Sequence, residues 1–594
     1  MTSIRGGHRW WRVGSAAAAI ASGLTFCAAP AFAQTEAAQG AASENLTVNL
    51  MRLLVKQHVI TQEAADQLMA QAQRETAEAR AAAASQAPIA TNLPPVAPGA
   101  TRIPYVPEIV KNQIRDEVRQ EVIQQAKAEN WAQPNQVPAW TKHIQISGDV
   151  RVRSQSDLYS KNNTTDLINF AALNANGPTD INSYTNPGGI PFLDTQRDRL
   201  NQLSIRARLD ILATPSPWVS ADIRLASGQS NSPVSTTQAL GGGLTKKSIW
   251  LDRAYIDLHP APWIGASAGR MPNPFFSTDL VYDDDLNFDG AAARGSFDIW
   301  PSQGLSLSSS GGAFLIDSQD ANFPSNSDQK AGSKIKWMFG AQVAANWKTE
   351  RFNWRTGLAY YQFQYDRGLL SAPCALYAGV KQCSTDFTAP AFMQKGNTLF
   401  LIRDIVADPK ATAGTTAIPQ YAGLMFDYNI LNLTSSFDLK LGEKHLVLVG
   451  DYARNLAYRH QDACRYGEAG LPVTNVLSSS LANTDPCIAG SPARFKSGPN
   501  AWMLKATYGD LEPYRFGQWN FTAGFKHIAP DAVIDAYNDS DFHLGGTNAK
   551  GYFLAATVGL LEGANLQFRW FSADEVFGAP LAIDVGQIDL NVRF

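Results

Sequence analysis

The stretch "GRMPNPFFSTDLVYDDDLNFDGAAA", residues 269–293, concentrates acidic side chains in a segment that Pro and Asn mark as a loop. Its carboxylates are Asp279, Asp283, Asp284 and Asp285. Basic residues recur on segments where polar and apolar side chains alternate: Arg151, Arg153, Arg206, Arg208, Arg224 and Arg294, with Asp149 beside the first two. Opposed rows of carboxylates and guanidinium groups create a transverse field that orients polar solutes and biases ion choice. A solvated or calcium-binding loop, with each arginine paired to a neighbouring acid, is the alternative.

No local motif points to an enzyme or to a cofactor. The histidines after residue 33 are scattered, at His58, His143, His259, His445, His460, His527 and His543. They lack the H-E-x-x-H spacing, and the chain has no G-x-S-x-G, P-loop or dinucleotide fingerprint. We therefore predict no catalytic residue, no metal site and no cofactor. A hydrolase that assembles Ser, His and an acid from separate segments stays open as an alternative, because it would leave no local motif.

Composition narrows the class of protein. The 594 residues are 45% hydrophobic and 17% charged, with a net charge of −3. This balance predicts no strongly acidic or basic partner and no nucleic acid. After residue 33 no stretch reaches about 18 consecutive apolar residues, so helices that cross a bilayer are not expected. Low charge and many aromatic residues still fit a membrane barrel, whose signal per strand is weaker.

Residues 1–33 have the pattern of a secretory signal peptide. Arg5, Arg9 and Arg12 precede the apolar run "VGSAAAAIASGLTFCAAP", and "AFA" at residues 31–33 supplies the small side chains of a cleavage site. Cys27 is an alternative lipoprotein site, but the bulky Phe26 before it disfavours that processing. The chain is therefore predicted to be exported.

The remaining cysteines are Cys374, Cys383, Cys464 and Cys487. An even number in an exported chain favours disulfides, and the C-x-x-C pairs of zinc or haem sites are absent. Three connectivities are formally open. We expect local pairs, 374 with 383 and 464 with 487, because each pair lies within one polar stretch dotted with Gly and Pro.

The region before the alternating segments has two parts. Residues 34–100 are predicted to form a helical hairpin, with Leu46, Leu50, Leu53 and Leu54 at helical spacing, and then an extended Pro/Ala linker. Residues 101–140 carry a thin apolar stripe of Val110, Ile114, Val118 and Val122. Such a stripe predicts a coiled coil or a helix that lies on another surface. A solvated spacer helix is the alternative.

From Ile144 onward the period becomes two, which is typical of β-strands with one apolar face. In "IQISGDVRVRS", Val150 and Val152 alternate with Arg151 and Arg153. The pattern predicts about sixteen strands, at residues 144–154, 199–212, 217–227, 247–259, 263–270, 287–300, 303–315, 334–348, 352–366, 421–440, 444–457, 500–510, 516–528, 549–560, 564–573 and 583–594. The fold class is therefore an all-β transmembrane antiparallel barrel over residues 141–594, preceded by a short α-helical periplasmic segment.

The lengths of the links support a membrane barrel over a soluble sandwich. Short links such as "TPSP", "PAP", "PSQ", "TER" and "GE" alternate with long ones, as in bacterial outer-membrane barrels. Six tryptophans stand beside the short links, where their rings would sit at one membrane interface: Trp218, Trp263, Trp300, Trp347, Trp354 and Trp519.

The cost of burying charge in lipid decides which face points outward. An arginine at the midplane of a barrel costs roughly 2 to 4 kcal/mol. Arg206 and Arg208 must therefore point inward, and Ala207 between them must point to lipid. Sixteen strands enclose an aqueous channel rather than a packed core, so Asp149 and the arginines named above are predicted to line a pore.

The sequence ends in "IDVGQIDLNVRF", in which Ile588, Leu590, Val592 and Phe594 alternate with polar residues. This ending resembles the C-terminal signal by which the barrel assembly machinery recognises outer-membrane barrels. We therefore expect Phe594 to complete an assembly signal and the last strand to pair with the first, because an unpaired sheet edge in hydrocarbon leaves backbone groups unsatisfied.

At residues 269–293 and in its general layout, the chain also resembles the family of bacterial putative porins, in which a helical segment precedes the barrel. The resemblance implies passive diffusion of small hydrophilic solutes and ions through the outer membrane, often by a homotrimer. In general porins the loop after the fifth strand is the third outer loop, which folds inward and narrows the channel. The resemblance thus assigns Asp279, Asp283, Asp284 and Asp285 to a constriction loop.

A second function class uses the barrel only as an anchor. In this alternative the helical region, residues 44–130, contacts the cell wall or a periplasmic partner. The sequence does not name the solute, the preferred ion charge or the oligomeric state.

Overall fold

The computed structural model describes residues 115–121, 124, 139–176, 181, 189–318, 334–373, 375, 378, 386–406, 410, 418–476 and 495–594. The predicted signal peptide and the predicted hairpin and linker lie outside these residues. Within the predicted spacer, residues 115–121 and 124 are helical and exposed. No helix in the described ranges is both long enough and apolar enough to span a membrane.

Sixteen antiparallel strands close into a barrel, which confirms the predicted fold class. They are β1 (Ile144–Tyr159), β2 (Arg199–Ser216), β3 (Val219–Ser227), β5 (Ile249–Ala261), β6 (Ile264–Pro272), β7 (Asn287–Trp300), β8 (Leu305–Asp317), β9 (Lys336–Lys348), β10 (Phe352–Gln364), β13 (Asn429–Leu441), β14 (Lys444–Asn455), β15 (Asn500–Gly509), β16 (Trp519–Ile528), β17 (Ala549–Leu561), β18 (Ala564–Asp574) and β19 (Ile583–Arg593). The short strand β4 (Gln238–Ala239) pairs with β2. Strands β11 (Leu399–Ile405) and β12 (Ile418–Leu424) pair with each other in a separate two-stranded sheet.

Helices in the described residues are short and lie outside the strands. They are Ala139–His143, Phe170–Leu173, Asn174–Asn176, Pro301–Gln303, Asp386–Thr388, His460–Cys464, Gly467–Gly470 and Phe542–Leu544. These are the helices after residue 138; among them Phe170–Leu173 is α-helical and the others are 3₁₀ turns, and residues 115–121 and 124 of the predicted spacer are also α-helical.

Strands β1 and β19, which we call the closing pair, join the two ends of the sheet. Their register runs from Asp149 opposite Arg593 to Tyr159 opposite Ile583. Phe594 extends the pairing, because its backbone N–H donates to the Gly148 carbonyl at 3.0 Å and its carbonyl accepts from the Gly148 N–H at 2.9 Å. The barrel is therefore closed, as predicted, without a free strand edge.

Alternation along the strands sorts side chains between the two faces. The side chains of Val150 and Val152 lie on the outer face and are each 42% exposed. Arg151 and Arg153, which alternate with them, are buried on the inner face. The six tryptophans beside the short links are all exposed. The outer face is thus apolar with aromatic rings near the short-link end, which is the surface that a bilayer requires.

One predicted strand begins well before the barrel strand that the structure shows. The sequence pattern predicts a strand over residues 421–440, but the barrel strand β13 begins at Asn429 and the preceding residues belong to β12. They join an apolar cluster among the long loops that includes Phe400, Ile402 and Phe426. We call residues 386–406, 418–428 and 457–476 the loop cap. Tertiary packing of these loops interrupts a run whose alternation alone looks continuous.

Candidate functional site

The loop between β6 and β7, residues 273–286 (the β6–β7 loop), follows the fifth strand of the barrel. The backbone N–H of Phe276 donates to Gln342 of β9 at 2.7 Å. The Thr278 hydroxyl donates to the Asp451 carboxylate of β14 at 2.5 Å. At the far end of the loop, Arg208 of β2 donates to Asp285 at 3.0 Å. Since β2, β9 and β14 lie on separate parts of the wall, this loop crosses the barrel interior.

An aromatic cluster holds one end of the β6–β7 loop against the wall. The ring of Phe275 lies 5.1 Å from that of Tyr361 and 5.9 Å from that of Phe314, both edge-on. Tyr282 packs on Phe288 with ring centres 5.1 Å apart. At Gly340 of β9 an added Cβ would come within 2.4 Å of the Phe275 ring, so only glycine lets the ring approach so closely. Edge-on aromatic pairs add to the free energy of burial, and this cluster fixes the course of the loop.

Four of the predicted residues form one ionic cluster at the other end of this loop. Asp149 accepts from Arg206 at 2.9 Å and from Arg208 at 2.6 Å. Arg208 also reaches Asp285 at 3.0 Å. Burial alone would raise the pKa of the Asp285 carboxyl, but Arg206, Arg208 and hydrogen bonds from Thr236 bring it below its usual value. Asp285 is therefore charged and held against the arginines.

The closing pair contributes a second ionic cluster. Arg153 is 3% exposed and contacts Asp589 of β19 and Asp541, each at 2.8 Å. Arg569 of β18 contacts the same two carboxylates, at 3.2 Å and 3.0 Å. Arg151 donates to the Thr237 hydroxyl at 2.5 Å, and its Nε has no hydrogen-bond partner in the described part of the chain.

Two predicted arginines pair locally instead of facing the acidic loop. Arg224 contacts Asp252 at 2.5 Å. Arg294 contacts Asp257 at 2.6 Å, is 51% exposed, and lies opposite Gly265 near the short-link end of β6. The structure thus places Arg206 and Arg208 beside the acidic loop, but it pairs Arg224 of β3 and Arg294 of β7 with acids of β5.

The other acids of the β6–β7 loop have distinct environments. Asp279 accepts from Lys526 of β16 at 2.7 Å. Asp283 accepts from the Ser540 backbone at 3.0 Å, and burial together with the Asp539 charge raises its pKa well above the usual value. Asp284 is exposed. Across the described ranges no group of three or more His, Cys, Asp or Glu side chains could hold a metal ion.

Several interior residues were not singled out from the sequence: Lys526, Asp539, Asp541, Arg569 and Asp589. Lys526 and Asp589 do stand on the polar faces that alternation identifies. Asp539 and Asp541 belong to a long loop, where no periodic signal exists. Their charges could be counted from the sequence, but their partners could not.

Of the predicted disulfide cysteines, Cys464 ends the short helix His460–Cys464 and is disulfide-bonded. Cys374, Cys383 and Cys487 lie outside the described residues. The two local pairs therefore stay a prediction.

Comparisons with known proteins agree with this architecture. The chain resembles three solved outer-membrane proteins: Vibrio cholerae OmpT lacking loop L8 (8% identity, 76% of this chain and 100% of that chain, TM-score 0.35), Salmonella typhi OmpF in complex with daunomycin (11%, 76% and 97%, 0.34) and the channel DcaP of Acinetobacter baumannii (9%, 76% and 97%, 0.34). No curated protein matches the sequence. The sequence pattern of one family, described as Putative porin, matches residues 44–594. Because this match spans most of the chain, the protein belongs to the putative porin family.

Proposed function

We propose that the barrel is an outer-membrane channel for the passive diffusion of small hydrophilic solutes and ions. The observation that carries the proposal is the β6–β7 loop, which crosses the interior and faces Arg206 and Arg208 with Asp285. Charges in a narrow, low-dielectric passage act on a permeating solute more strongly than exposed surface charges do. Asp149, Arg151 and Arg153 would line the passage, with Arg224 and Arg294 along its wall, and Asp279, Asp283, Asp284 and Asp285 would narrow it.

A cavity at the short-link end supports a water-filled path to this point. It has a volume of about 800 Å³ and is lined mainly by polar side chains, among them Asp149, Arg206, Arg208, Asn591 and Arg593. Such a lining suits hydrated ions and polar solutes, because buried polar groups need water or each other. The proposed function involves no enzymatic step and no cofactor.

The proposed orientation follows from the links between strands. In outer-membrane barrels the short turns face the periplasm and the long loops face outward. The residues that precede β1 would then be periplasmic, and the loop cap would be external. The proposed partners are the lipid bilayer, the barrel assembly machinery acting on Phe594, and two further copies in a homotrimer, as the family resemblance implies. A contact between the N-terminal region and the cell wall remains part of the tether alternative.

Reconstitution of the full-length mature protein tests the channel. In planar bilayers we expect discrete conductance steps, and proteoliposomes should swell in small sugars but not in large polymers. Reversal potentials under a salt gradient would then give the ion preference. The channel would be contradicted if bilayers that contain the folded barrel showed no conductance steps. Binding of the same protein to purified cell wall would then favour the tether.

A further inference from the structure

A second long loop enters the barrel interior. This loop, residues 529–548 between β16 and β17 (the β16–β17 loop), carries Asp539 and Asp541. The Lys526 ammonium group, which is 2% exposed, contacts Asp279 of the β6–β7 loop at 2.7 Å and also contacts Asp539. One buried cation therefore bridges carboxylates from two loops that are far apart in sequence.

Backbone contacts join the same two loops. The N–H of Asp539 donates to the carbonyl of Asp279 at 3.0 Å, and the N–H of Asp283 donates to the carbonyl of Tyr537 at 2.8 Å. The N–H of Ser540 donates to the Asp283 carboxylate at 3.0 Å. These groups are in a mostly buried region, where an unpaired backbone N–H is costly. Each loop thus supplies hydrogen-bond partners for backbone groups of the other.

The β16–β17 loop is also fixed to the strands that follow β17 around the barrel wall. Asp541 contacts Arg153 of β1 at 2.8 Å and Arg569 of β18 at 3.0 Å, and it accepts from Gln587 of β19 at 3.2 Å. The β16–β17 loop is therefore held along one side of the interior, from Lys526 on β16 to the closing pair. The β6–β7 loop reaches β2, β9 and β14, and the two loops meet at Lys526.

We propose that the two loops form one joint constriction and that Lys526 is the residue that sets its width. This inference rests on the proposed channel function. Without the ammonium group, Asp279 and Asp539 would be left as facing carboxylates with no shared cation, and the strong cost of unpaired buried charge would drive them apart. The passage would then widen, because the loops carry the side chains that bound it.

The first test compares Lys526→Met with Lys505→Met in planar bilayers and by exclusion of polyethylene glycols of increasing size. Lys505 lies on the neighbouring strand β15, and its charge acts on Asp279 and Asp284 without an ion pair within the described residues, so its replacement removes the same charge but no direct contact between the loops. We expect Lys526→Met to raise single-channel conductance and to admit larger polymers, while Lys505→Met keeps the parental size limit. A parental size limit in folded Lys526→Met would overturn the proposal.

The second test leaves Lys526 in place, in case its replacement prevents folding. The double variant Asp283→Cys with Ser540→Cys puts thiols where the loops touch, and oxidation in isolated outer membranes should form a cross-link between them. The parent, with only its native cysteines, is the control. If the cross-link forms efficiently and the oxidised variant keeps the conductance of the parent, the joint constriction is supported. If the double variant folds but does not form the cross-link, the proposal is refuted. If the parent itself gives no channels, the proposed function fails, whereas the cross-link still reports on the loops.

Discussion

At the scale of single residues, we expect Asp149 to set the charge of the proposed passage beside the β6–β7 loop. It is the shared partner of Arg206 and Arg208. Asp149→Asn should shift the reversal potential toward anions, because it removes one negative charge and leaves two guanidinium groups with Asp285 alone. Two unit charges 4 Å apart interact by about 1 kcal/mol in bulk water and about 4 kcal/mol at an effective dielectric constant of 20. The shift should therefore be large enough to measure under a salt gradient.

The matched control is Asp194→Asn, which removes the same charge from an exposed loop. Asp194 pairs with Arg197, whose side chain is 82% exposed. Its replacement should leave the reversal potential unchanged, since salt screens exposed charges. Equal shifts in both variants would mean that Asp149 does not face the ion path.

At the scale of elements, the loop cap contains a buried lysine, Lys395, that contacts no carboxylate in the described part of the chain. Lys395 Nζ lies 2.7 Å from His543 Nδ1 and 3.3 Å from the Thr547 carbonyl, and burial lowers its pKa to about 7. An unfolded lysine has a pKa of about 10.4. Between these values the opened cap binds more protons than the folded cap, so its stability should rise as the pH increases from about 7 to about 10.

Limited proteolysis of the solubilised protein, with a protease active across this pH range, measures that rise. Cleavage within residues 386–406 should slow at the higher pH in the parent. Lys395→Met cannot titrate and should lose the pH dependence while the barrel stays heat-modifiable. The same slowing in Lys395→Met would assign the effect to another group.

At the scale of the whole molecule, two variants of Phe594 separate its closure of the sheet from its proposed role in assembly. Deleting it removes two backbone hydrogen bonds to Gly148, each worth about 1 kcal/mol. Phe594→Ala keeps both bonds but removes the ring that an assembly machinery would recognise. We expect deletion and Phe594→Ala both to lower the yield of heat-modifiable barrel in the outer membrane while export continues. A full yield with Phe594→Ala would reduce the role of this residue to closure of the sheet.

Most of the barrel was predictable from sequence because period-two alternation is a local signal. The predicted bounds 287–300 and 444–457 differ from β7 and β14 by at most two residues. For the interior, the sequence predicted which side chains of the strands point inward but not which of them contact one another. Lys526 and Asp279 are 247 residues apart, and the Phe275 ring meets Gly340 from a loop that reads as polar. Such meetings depend on how long loops fold over one another, which no local pattern encodes.

The side chains of the closing pair favour the correct register between the first and last strands. Arg153 stands directly opposite Asp589, and Gln155 stands opposite Gln587 with a hydrogen bond of 2.8 Å between their side chains. A slip of one residue would turn every side chain of one strand to the other face. Charged groups would then enter lipid, at roughly 2 to 4 kcal/mol for each arginine near the midplane. A misaligned closing pair is thus destabilised by the same side chains that would line the proposed passage. A stably closed barrel therefore already has these side chains in their inward positions.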